Sequence, residues 1–227
     1  MPMDEYGIHP SAELRALFAP HAVPTQGQSI DRAIVIFLGL DANYSSDLLA
    51  YPDFFERILE YHRDGVGFWK WHGVDHPFLL PEYPLPRTGG GVPYHRRFAG
   101  MGLSPEFADA VAFAELLNVP TTGRTEQKVF WKLFDPAYAA GLESVLTDGR
   151  RRLVILSGSV IRTMRDAGRR VGVFSWLPEA TEFGVFHEIG ETRFARFKHF
   201  SSAISHAELR IMGDQIVEFC GADRGSS

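Results

Sequence analysis

The chain has 227 residues, 45% of them hydrophobic and 22% charged, with a formal net charge of −5. This is the composition of an ordinary globular domain, and the negative balance argues against a protein that coats nucleic acid along its length. No run of about 18 apolar residues marks a transmembrane helix, and the acid-bearing start MPMDEYGIHP lacks the apolar stretch of a secretory signal. Cys220 is the only cysteine, which excludes internal disulfides, cysteine-based zinc sites and cysteine-ligated iron–sulfur clusters. A cytoplasmic location is the expectation that follows.

One domain over residues 1–227 is expected, because no Pro/Gly/Ser-rich linker divides the pattern. Residues 1–29 read as a leader with one short helix at 11–18, capped by Ser11 and stopped by Pro20. Residues 30–40 carry the apolar run Ile34-Val35-Ile36-Phe37-Leu38, a buried strand. It ends in Gly39-Leu40-Asp41-Ala42-Asn43-Tyr44. Residues 52–62 have helical apolar spacing with Pro52 at the first turn. Residues 65–97 hold six aromatic rings among prolines and a triple glycine, and read as an inserted aromatic loop without regular structure. A short helix follows at 94–102, then a second buried strand at 111–117 that runs into a turn at 118–123.

Residues 136–146 are a helix capped by Asp135. Residues 152–156 are a third strand, followed by Ser157-Gly158-Ser159 and a helix at 160–167 ended by Gly168. A fourth strand is expected at 171–176, an edge strand at 192–198, a last helix at 207–219 capped by Ser205, and a frayed tail at 222–227. Alternating strands and helices predict a three-layer α/β/α sandwich around a mostly parallel sheet of four strands or slightly more.

In such sheets ligands bind beyond the carboxyl ends of the strands. Four strand-end segments, at 39–44, 116–123, 157–159 and 199–205, place Asp41, Asn43, Asn118, His199 and several serines there. A carboxylate, an amide and an imidazole suit a cleavage in which water attacks and the leaving group gains negative charge. Arginines at 150–152, 162, 165, 169 and 170, with Arg193, Arg196 and Lys198, supply local basic patches, enough to hold a few phosphates. Blander roles exist for each. Asp41 could anchor its loop, Asn118 could be a turn residue, Phe78 could pack the core, and His199 could lie idle at the surface. Ser157-Gly158-Ser159 lacks the lysine of a P-loop. His72 and His76 have i,i+4 spacing without further ligand pairs, so no metal is expected.

Taken in order, the four segments resemble the motifs of the uracil-DNA glycosylase superfamily, with this chain a divergent member lacking iron–sulfur cysteines. Gly39-Leu40-Asp41-Ala42-Asn43-Tyr44 is similar to the Gly-x-Asp-Pro-Tyr loop, and Leu116-Leu117-Asn118 to Leu-Leu-Asn. Ser157-Gly158-Ser159 resembles the Gly-Ser before a helix, and His199-Phe200-Ser201-Ser202-Ala203-Ile204-Ser205 resembles His-Pro-Ser-Pro-Leu-Ser. His76-Pro77-Phe78 matches the family's stacking phenylalanine. The likeness spans residues 34–216. It departs at Ala42, which replaces a proline, at one added residue before Tyr44, in the proline-free last loop with its own added residue, and at an insertion over 65–71 and the helix before it.

The resemblance implies a base-excision repair enzyme that needs no cofactor, acts as a monomer and hydrolyses the N-glycosidic bond of uracil or a related deaminated base in DNA. Asp41 would position water and His199 would stabilise the departing base. Gly39, Leu40, Asn43, Tyr44, Phe78 and Asn118 would hold that base, with Phe78 stacking on it, Asn118 reading its edge and Asn43 or Tyr44 guarding its 5-position. Ser159, Ser201, Ser202 and Ser205 would meet the DNA backbone, and Ile204 would wedge into the gap left in the duplex. Alternatives from other classes are a non-catalytic binder of nucleobases or damaged DNA with the same fold, and an unrelated small-molecule hydrolase using Asp41 and His199.

Overall fold

The architecture follows from apolar strands buried without interruption, their side chains turning alternately to two covered faces. A computed structural model describes residues 5–89 and 91–221; the expected tail at 222–227 lies outside the described residues. The chain begins with β1 (Gly7–Ile8), α1 (Ala12–Phe18) and β2 (Thr25–Gly27), then β3 (Val35–Gly39). Helices α2 (Pro52–Arg63), α3 (Gly65–His72) and α4 (Val92–Gly100) lead to β4 (Val111–Glu115) and β5 (Thr121–Thr122). Then come α5 (Gln127–Leu133), α6 (Pro136–Leu146), β6 (Arg152–Ser157), α7 (Gly158–Val171), β7 (Gly184–Ile189), β8 (Thr192–Phe197) and α8 (His206–Gly221).

Six strands form one sheet in the order β2-β4-β3-β6-β8-β7. The inner four are parallel, and β2 and β7 are antiparallel at the two edges. Ile36, Leu38, Ala112, Ala114, Val154, Leu156 and Phe194 form one face, covered by α5, α6 and α7. Val35, Phe37, Val111, Phe113, Leu153, Ile155, Ala195 and Phe197 form the other, covered by α4 and α8. Each large side chain so buried contributes about 1.5–3 kcal/mol. This is the three-layer α/β/α sandwich, with a six-stranded sheet. After β3 the chain crosses one way to β4, and after β4 it crosses back over β3 to β6. The winding therefore reverses between β3 and β6, where a crevice must open above the sheet.

Several elements differ from the sequence reading. Residues 5–29, read as a leader, take part in the fold: β2 is an edge strand of the sheet, and β1 pairs with β5. The short helix is real, with the Ser11 hydroxyl accepting from the Leu14 N–H at 3.1 Å. Residues 65–97 are largely ordered into α3, a 3₁₀ turn at Pro77–Leu79 and α4, because Phe68, Phe78 and Tyr83 pack with α1 and α2 into a third core cluster while Trp69 and Tyr94 join the cluster under the sheet. Residues 171–176 form no strand. Helix α7 runs on to Val171, and Phe174 takes φ 61° to bury its ring, its N–H held by Glu143 Oε1 at 2.7 Å. The outer strand is instead β7, whose half-exposed alternation hid it, so β8 is interior. Helix α5 had no sequence signal.

Among the described residues, no helix is long and apolar enough to cross a membrane. Helices α4 and α8 approach closely at Gly213, where an added Cβ would lie 2.2 Å from the Met101 carbonyl oxygen. Gly213→Ala is expected to destabilise by about 1–3 kcal/mol through overpacking. That is a Tm loss of about 2–4 °C per kcal/mol for a chain of this size. Gly141→Ala, in open space on α6, is expected to be neutral or to stabilise by up to about 1 kcal/mol. Thermal unfolding of the two variants checks the contrast.

Candidate active site

The crevice is a cavity of about 720 Å³ at the carboxyl ends of the parallel strands, between the loop after β3, the start of α7 and the loop after β8. Asp41 sits at its wall, two residues beyond β3. Three donors converge on its Oδ2: the Tyr6 hydroxyl at 2.9 Å, the Thr121 hydroxyl at 2.5 Å and the Asn43 amide at 3.5 Å. They leave Oδ1 to accept from a water. Burial and the Asp41 charge push the Tyr6 phenol up, so it stays a donor.

Backbone bonds from Thr121 N–H to Ala42 O and from Tyr44 N–H to Thr121 O, both 2.9 Å, zip residues 41–44 onto the turn after β4. The Asn43 amide completes the zipper on Thr121 Oγ1 and Gly123 O. Asn43 therefore holds the loop in shape. Tyr44 lines the cavity but is buried, its hydroxyl tied to His62 Nε2 at 2.8 Å.

His199 lies across the cavity, beside Tyr94. Its Nδ1 accepts the Ser201 N–H at 3.1 Å. That bond assigns the neutral tautomer with the proton on Nε2, and burial lowers the imidazole pKa so that the neutral form persists. The result is a fixed N–H donor. Ser159, Ser201 and Ser202 line the same cavity with Arg162, Arg196 and Lys198, giving it a polar and cationic rim. Gly158 and Ser159 open α7, where free backbone N–H groups favour an anion.

The remaining expected residues divide. Gly39, Leu40 and Phe78 line the cavity, although Phe78 is buried among Tyr44, His76, Tyr83 and His95. Half-buried Tyr94 is the ring beside His199. Asn118 does not line the cavity. Strand β4 ends at Glu115, and the consecutive buried side chains of Leu116 and Leu117 carry Asn118 past the edge. Ile204 packs half-buried against the core. Ser205 caps α8: its hydroxyl accepts the Glu208 N–H at 3.2 Å while Glu208 accepts the Ser205 N–H at 2.8 Å. This reciprocal capping box is the cap that the sequence predicts, at a serine that the resemblance also places on DNA.

Glu115, Gln26, His95 and Phe183 also line the cavity and were not anticipated. Glu115 had the same signal as Asp41, a carboxylate closing an apolar strand; reading the strand on to residue 117 concealed it. Burial, then the Asp41 charge, push its carboxyl well above the usual carboxylate range. His95 Nδ1 lies 3.1 Å from the buried Asp75 carboxylate, and its ring stacks 3.6 Å from His76. Phe183, 60% exposed, lies under the Arg196 guanidinium at the rim. Compared with known protein families and with curated proteins, the chain matches none.

The aromatic wall behind the site makes stability pH-dependent. His62, enclosed by Phe18, Tyr44 and Tyr61, is pushed down to about 3 by burial. An unfolded histidine titrates near 6.5, so between these values the unfolded chain binds the extra proton. Stability from this group is intact above about pH 6.5 and is lost as pH falls. At pH 5 the loss is about 2 kcal/mol. His62→Gln, which can still bond Tyr44, is expected to flatten the decline between pH 7 and 5 by up to that amount. Urea unfolding across that range measures it.

Proposed function

We propose that this protein is a DNA glycosylase that hydrolyses the N-glycosidic bond of a deaminated base flipped out of DNA. The observation that carries the reading is the convergence of Asp41, with Oδ1 unengaged by its three donors, and neutral His199 on one cavity rimmed by Arg162, Arg196 and Lys198. The ordered motifs at the ends of β3, β6 and β8, which resemble those of the uracil-DNA glycosylase superfamily, support it independently.

In this mechanism the cationic rim and the start of α7 grip the phosphates on either side of the lesion. That grip offsets the few kcal/mol needed to unstack the base. Asp41 orients a water through Oδ1 toward C1′ and its charge stabilises the oxocarbenium-like sugar. The bond from C1′ to the base breaks as the water oxygen adds, and the water proton passes to Asp41. His199 Nε2–H donates to the oxygen on which negative charge develops. One such preorganised donor is worth about 3 kcal/mol.

Asp41→Asn is expected to lower excision by about 10³-fold or more while retaining lesion binding, because the amide cannot take the proton. His199→Ala is expected to cost about 10²-fold to 10³-fold in rate. Single-turnover cleavage of oligonucleotides carrying uracil, hypoxanthine, xanthine or mismatched thymine tests both; absence of excision on all four would overturn the reading. Arg162→Ala is expected to weaken binding alike on all sequences and to reduce the salt slope by about 1, read by titration at several salt concentrations.

A further inference from the structure

Glu115 is the group in the cavity that the Asp41–His199 chemistry leaves unused. Its position follows from sheet register. Gly39 and Glu115 are paired across β3 and β4, and a Cβ on residue 39 would fall 2.0 Å from Glu115 Oε2. Glycine at 39 is what lets the carboxyl lie against the strand. Oε2 is sealed from solvent without a hydrogen-bond partner, and among the described residues Glu115 enters no ion pair. The titratable groups that interact with it are an acid and phenols: Asp41 beyond β3, Tyr6 before β1, Tyr44, Tyr61 of α2, Tyr94 of α4 and Tyr138 of α6. Tyr138 donates to the Glu115 backbone carbonyl at 2.7 Å, and Tyr6 donates to Asp41. Nothing here supplies the counter-charge that a buried carboxylate requires.

A second stranded group lies on the same sheet face. Gln26 pairs with Phe113 across β2 and β4, two residues before Glu115. It lines the cavity, is 5% exposed, and its Nε2 has no acceptor. Orphaned buried polar groups at a cavity floor call for a ligand that completes them. An amide donor without an acceptor is complemented by a ring carbonyl. A neutral carboxyl in the same cavity is complemented by a ring nitrogen that can take its proton.

We infer that Glu115 is the general acid of this enzyme and that the base it releases is a 6-oxopurine, such as hypoxanthine or xanthine. The inference rests on the glycosylase reading above and names the substrate class for that site. A purine leaves through N9 far more readily once N7 or N3 is protonated, whereas uracil can leave as an anion held by a donor such as His199. Two devices that would suit a pyrimidine are displaced, while His199 stays in the cavity as a donor. Asn118 does not line the cavity, and the Tyr44 ring is tied back into the core by His62. A 6-oxopurine offers its carbonyl to Gln26 Nε2, where adenine would present an amino donor to a donor.

The step balances. The water oxygen bonds to C1′ as the N9–C1′ bond breaks, and that electron pair stays with the purine. Glu115 gives its proton to N7 or N3, and the water gives one to Asp41. The neutral base and the hydroxylated sugar leave, and exchange with solvent returns both carboxyls to their starting states. Splitting the acid and base roles between two neighbouring carboxyls in unlike environments is a recurrent solution.

The test uses the full chain and duplexes with a single hypoxanthine, xanthine or uracil. Wild type is expected to excise hypoxanthine, with a rate that falls as pH rises and Glu115 ionises. Glu115→Gln is expected to lower that rate by at least about 10²-fold, the range of general acid catalysis, and to abolish the alkaline fall. Glu115→Asp, a shorter acid, should recover part of the rate. Thermal unfolding establishes that both variants fold. Excision of uracil but of neither purine would overturn this inference and leave the glycosylase reading standing; excision of no base would overturn both. A Glu115→Gln variant as fast as wild type on hypoxanthine, or one with an unchanged pH profile, would also overturn it.

Discussion

The pairing of Gly39 with Glu115 across β3 and β4 is the constraint on which the site depends. It ends both strands at the same level, so Asp41 and Glu115 emerge at one edge, and it leaves room for a carboxyl where a side chain would stand. The parallel register behind it is specified by which layer each side chain packs into: Val35 and Phe37 face one layer of helices, Ile36 and Leu38 the other. A slip of one residue would exchange those faces, and with them the positions of both acids. The hydrophobic core therefore fixes the relative placement of the polar groups.

The loop that carries Asp41 is held as firmly as a strand. Its backbone bonds to residue 121, and residues before α1 return as β1 to pair with β5 and bring the Tyr6 hydroxyl to Asp41. Segments more than a hundred residues apart thus meet at one carboxylate oxygen. Such fixed donors reduce the reorganisation needed when charge develops nearby. Opposite, His199 is fixed by the Ser201 backbone N–H, and the capping box of Ser205 and Glu208 anchors the end of the same loop to α8. The rim is less enclosed: Arg162, Ser201 and Ser202 are exposed.

The aromatic segment between α2 and β4 helps to build a wall behind the cavity. Tyr44, His62, His76, Phe78 and His95 form a continuous set of ring contacts behind the cavity. Burial keeps His62 and His76 neutral, so these two imidazoles add little positive charge near Asp41.

Sequence alone determined the alternation of strands and helices, the buried strands β3, β4 and β6, and the caps at Ser11 and Asp135 with the Pro52 helix start, because these rest on local periodicity and on hydrogen bonds within a few residues. It also placed Asp41, His199 and the serines at 159, 201 and 202, since polar residues that close apolar strands must emerge at the sheet edge. It did not reveal β7, α5 or the order in 65–97, whose stability comes from rings meeting distant partners. Nor did it show which strand-end residue turns inward. Leu116 and Leu117, buried together, divert Asn118 and leave Glu115 at the edge, while Tyr6 and Gln26 join the site only through pairing with β5 and β4. Those outcomes were decided by non-local packing, which a local pattern does not encode.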